Sequence, residues 1–89
     1  ERQQLELALS MAAEELRAKR YQRASLGRSI TQVRRALKSA QASWTAQERA
    51  ERDAQIQEML QDAKRLDQEI TGLKEYMRIL KVKILLLKL

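Results

Sequence analysis

The groups in this sequence that can do chemistry are carboxylates and cations. Twelve Asp and Glu and eighteen Lys and Arg stand among 89 residues, for a net charge of +6, and there is no His or Cys. Without Cys there is neither a disulfide framework nor a thiol nucleophile, and without Cys or His there is no ordinary zinc site and no imidazole base. Carboxylate pairs remain, but each stands among Arg and Lys at helix-surface spacing, which describes a solvated charged face better than an acid–base couple. No Gly-rich phosphate loop, nucleophile elbow or Asp-rich calcium loop occurs. The expectation is a non-catalytic chain with no cofactor and no metal.

The cations are unevenly spread. Residues 16–38 carry eight bases (Arg17, Lys19, Arg20, Arg23, Arg28, Arg34, Arg35, Lys38) and no acid. Such a block can engage phosphates, and Arg17, Arg20, Arg34 and Arg35 are the candidate anion contacts. On a helical frame the block scatters over several faces. Tyr21 is its one aromatic, so no base-stacking platform is expected. The preferred reading pairs the block with acids of the same assembly or leaves it solvated; a nucleic acid, an anionic membrane or an acidic partner is the alternative.

Long helices must position these groups. The chain is rich in Ala, Leu, Glu, Gln, Lys and Arg, has no Pro, and has two Gly. Its first apolar seam runs Leu5, Leu9, Ala12, Leu16, Lys19, Arg23, Leu26, Ile30, Val33, Leu37, Ala40 and Trp44, in steps that alternate between three and four, and it is interrupted by two charges. The second runs without interruption through Ile56, Met59, Ala63, Leu66, Ile70, Leu73, Met77, Leu80, Ile84 and Leu87. The seams are out of phase, because the step from Trp44 to Ile56 fits neither a heptad nor a stutter. Between them, Thr45 and Glu48 match a capping box. The spacing predicts one all-α module: a helix over about 2–42, a turn at about 43–45 and a helix over about 46–88. One uninterrupted helix is the alternative. Gly27 and Gly72 fall in phase with their seams, so the helices are expected to pass through them.

Charge selects the topology. Folded back antiparallel at 43–45, facing positions total about 88 or 89. The basic block then faces Glu51, Asp53, Glu58, Asp62, Asp67 and Glu69. Glu14 is expected to face Lys74, Glu6 to face Lys81 and Lys83, and the seam cations Lys19 and Arg23 to lie near Asp62, Asp67 and Glu69. An antiparallel dimer of unbroken helices would meet the same complementarity. Exposed ion pairs contribute at most about 1 kcal/mol each, so they choose orientation while seam burial supplies stability.

The run from Arg78 to Leu89 is apolar on more than one side, since Ile79, Val82, Leu85, Leu86 and Leu89 lie off the seam. One partner helix cannot cover it. The expected partners are therefore further copies of the chain or other helical subunits, with a membrane surface as the alternative at this run. The expected function is coiled-coil oligomerisation or scaffolding through the seam residues Leu9, Leu16, Ile30, Val33, Leu37, Ile56, Met59, Leu66, Ile70, Leu73, Met77, Leu80, Ile84 and Leu87. The chain also reads as an excerpt of a longer protein, and its lack of Cys fits a reducing compartment.

Overall fold

A computed structural model describes residues 1–39 and 43–89. It contains two helices, α1 (Arg2–Ser39) and α2 (Ala46–Lys88), packed against each other as a hairpin. The molecule is a rod of 67 × 14 × 14 Å. Its radius of gyration is 19.8 Å, against about 12 Å for a compact domain of this length.

The second helix begins where its sequence provides a cap. Thr45 is extended (φ −71°, ψ 164°), and its hydroxyl accepts from the Glu48 N–H at 3.1 Å. That bond satisfies one of the donors orphaned at a helix start. The chain is therefore not one uninterrupted helix. The expected first-helix end at about 42 lies outside the described residues, as does Ala40; the described part of α1 closes at Ser39. Both glycines lie inside helices with no positive φ. Ser29, Thr31, Ser39 and Thr71 donate to the carbonyls of Ser25, Gly27, Arg35 and Asp67, so these hydroxyls are satisfied without breaking the helix.

The core is a single thin seam. Ala12, Leu16 and Ile30 of α1 are buried, with Ile56, Ala63, Leu66, Leu80 and Ile84 of α2. Leu5, Leu9, Leu26, Val33, Leu37, Met59, Ile70, Leu73 and Met77 are half-buried along its edges. Two helices cannot enclose a seam fully, and 6948 Å² of surface stays accessible, where about 5,400 Å² is usual for this mass. Leu87 is seam by spacing but is 47% exposed. In this register its facing positions are Glu1, Arg2 and Gln3, which bring no apolar side chain to it.

Candidate interaction site

The seam cations fix how the two helices meet. Lys19 Nζ lies 2.8 Å from Glu69 Oε2, and Arg23 Nε lies 2.9 Å from Asp67 Oδ1. The residue numbers of these pairs total 88 and 90, which sets an antiparallel register close to the expected one. Asp62 instead pairs locally with Arg65, at 3.7 Å. The stems of Lys19 and Arg23 occupy seam positions while their charged ends reach the flank of α2. The Glu69 Oε2 atom is shut off from solvent. The Lys19 ammonium is the cation at hydrogen-bond distance from it. Bonding to Lys19, then the charges of Lys19 and Arg65, hold the Glu69 carboxyl below its ordinary 4.5 despite partial desolvation.

Facing in register does not everywhere become an ion pair. Glu6 binds Arg2 one turn away at 3.1 Å rather than Lys81 or Lys83. Glu14 makes no ion pair with Lys74. A pair within one helix needs no register between helices and forms more readily. Arg78 likewise forks onto Glu75, with its closest contact at 2.6 Å. Hydrogen bonding and then charge lower the Glu75 pKa and raise that of Arg78.

The expected scatter of the basic block also needs correction. With the α1 seam taken as heptad positions a (Leu9, Leu16, Arg23, Ile30, Leu37) and d, Arg17 and Lys38 are b, Arg20 and Arg34 are e, and Arg28 and Arg35 are f. At 3.5 residues per turn these three positions are neighbours within an arc of about 100°. The remaining b, e and f positions between 17 and 38 hold Tyr21, Ala24, Gly27 and Thr31. The other flank, positions c and g, is uncharged there: Ala18, Gln22, Ser25, Ser29, Gln32 and Ala36. The candidate anion contacts Arg17, Arg20, Arg34 and Arg35 thus share one side of α1, and all four are exposed. Among the described residues no carboxylate pairs with any of the six cations on this side.

The order of the off-seam apolar residues escaped sequence reasoning, although its signal is plain in the spacing. Ile79, Val82, Leu86 and Leu89 follow one another in steps of three, four and three. Val82 and Leu86 point about 160° away from Ile84, at about 100° per residue. The four form an apolar stripe on the face of α2 turned away from α1, and all four are exposed, as is neighbouring Leu85. Leu7 and Met11, one turn apart near the start of α1, are each 62% exposed on that helix's outward face.

At the other end of the rod, Trp44 is half-buried beside the turn, with the Arg52 guanidinium 5.5 Å from its ring centroid. Among the described residues no group of three acidic side chains is placed to hold a metal, and no helix is long and apolar enough to cross a membrane. Comparison of the chain with protein-family models, curated proteins and solved structures found no match.

Proposed function

We propose that this chain is a non-catalytic coiled-coil module whose copies associate into a scaffold. The observation that carries the reading is the uncovered stripe Ile79, Val82, Leu86 and Leu89. Its three–four–three spacing is that of a surface made to receive another helix. A helix apolar on two opposite faces is normally buried on both, and α1 covers only one.

A second copy supplies a fitting cover. Its outward Leu7 and Met11 offer apolar side chains at one-turn spacing, with Glu14 and Glu15 close by in sequence. The receiving stripe is bordered on one side by Lys83 and on the other by Arg78, which is already paired with Glu75, and residues 76–89 hold no acid. Oppositely charged borders favour this pairing over stripe against stripe. The start of one hairpin then docks on the end of the next, a heterologous contact that repeats from copy to copy and builds chains of hairpins.

Sedimentation equilibrium tests the reading. Mass should rise above the single-chain 10.4 kDa as concentration rises. Val82→Glu with Leu86→Glu should return the mass to one chain with helicity kept. A helical monomer at every concentration contradicts the proposal, as does a folded monomer that partitions onto neutral lipid vesicles instead.

A further inference from the structure

We propose that the basic side of α1, from Arg17 to Lys38, binds the phosphate backbone of duplex DNA. Arg17, Arg20, Arg28, Arg34, Arg35 and Lys38 line one side of α1. At about 1.5 Å per residue the track is about 32 Å long. The block's other two cations, Lys19 and Arg23, already pair with Glu69 and Asp67 across the hairpin. The six are left without a carboxylate among the described residues, although α2 carries several. Six like charges on one side of a helix repel each other in the free protein, and a polyanion laid along them relieves that repulsion.

The chemistry of the track narrows the ligand. Five of the six cations are Arg, whose planar fork matches phosphate oxygens. Between them lies a shallow groove lined by Ala24, Gly27, Arg28, Thr31, Gln32 and Arg35. Its small side chains leave room for a backbone to approach the guanidinium groups. The track has no large aliphatic side chain to insert into a bilayer, which disfavours a lipid surface. Tyr21 alone could stack on a base, which disfavours single strands. Donors predominate and acceptors for a ribose hydroxyl are scarce, which disfavours a preference for RNA. Contact with phosphates alone carries no sequence information, so the binding is sequence-independent.

The test is a titration of the full chain with random-sequence duplex DNA over a range of salt. With six phosphates neutralised, affinity should fall about a thousandfold between about 50 and 200 mM salt. Changing Arg17, Arg20, Arg34 and Arg35 together to Gln should reduce the salt slope by about 3 to 4. Helicity should persist, because these side chains make no ion pair within the hairpin. Lys81→Gln with Lys83→Gln, on the other helix, should leave DNA affinity within about twofold of the unaltered chain, since exposed charges beyond a Debye length are screened. Duplex RNA and phosphatidylserine vesicles are run in parallel. No binding to DNA at low salt overturns the proposal. So does full affinity in the four-Gln variant, or capture by the RNA or the vesicles alone. None of these results depends on how hairpins associate.

Discussion

The ammonium of Lys19 meets the carboxylate of Glu69 at 2.8 Å across the two helices, at a place where heptad spacing calls for an apolar residue. The pair sits near the middle of α1, between buried Leu16 and half-buried Leu26. A heptad seam of Ala, Leu and Ile tolerates sliding by a whole repeat, because each layer resembles the next. A cation at one layer does not, since sliding would carry Lys19 away from its acid. Replacing Lys19 and Glu69 with Leu, together with Arg23 and Asp67 so that the second cross-helix pair is also removed, should therefore raise the denaturation midpoint while broadening the set of registers. Disulfide trapping between introduced cysteines along the two helices reads the registers; a single register in the variant lacking both pairs would contradict this role.

The lowered pKa of Glu69 ties stability to pH. The folded carboxyl titrates below its unfolded value near 4.5. Its stabilising contribution is thus complete above that value and disappears as pH falls through the folded pKa. Glu75 acts in the same direction through Arg78. Urea midpoints should fall on acidification from neutrality to below pH 4.5, and Glu69→Gln should flatten part of that fall. An unchanged pH profile in the Gln variant would remove Glu69 from the account.

Burial separates two leucines of similar spacing. Leu66 lies in the seam and is 7% exposed, while Leu86 on the outward stripe is 62% exposed. Leu66→Ala should cost about 2–3 kcal/mol by chemical denaturation. At concentrations where the chain is a single hairpin, Leu86→Ala should cost less than about 0.5 kcal/mol. Equal losses would mean that the stripe is covered within the chain.

Two backbone positions have opposite signs. Thr45→Ala removes the acceptor for Glu48 N–H and should destabilise by about 1 kcal/mol. Gly72 is helical, and a Cβ added there meets nothing within 4 Å. Gly72→Ala should stabilise by up to about 1 kcal/mol. Thermal denaturation of the two single variants checks both.

The hairpin was legible in the sequence because two independent patterns agreed. The seams from Leu5 to Leu37 and from Ile56 to Ile84 named the buried faces, and Lys19 and Arg23 opposite Asp67 and Glu69 named the register. The remaining charges were less informative, since facing in register is a weaker condition than touching. Glu6 and Glu75 found Arg2 and Arg78 on their own helices, where pairing needs no fold at all. The one-sidedness of Arg17, Arg20, Arg28, Arg34, Arg35 and Lys38 was obscured for a different reason. Their heptad letters differ, yet b, e and f are adjacent around a helix. Leu87 kept its spacing but stayed exposed, because burial depends on which side chains face a position as well as on phase.

Within one chain, α1 and α2 cover each other. Spin labels on cysteines introduced at the exposed positions Gln22 and Arg65, which line one groove between the helices, test it directly in a chain with no native Cys. Helix axes about 10 Å apart predict a label separation of about 20 Å or less. The signal should persist when labelled chains are diluted into excess unlabelled ones. Its loss on dilution would mean that the helices meet between chains, and the hairpin would be contradicted.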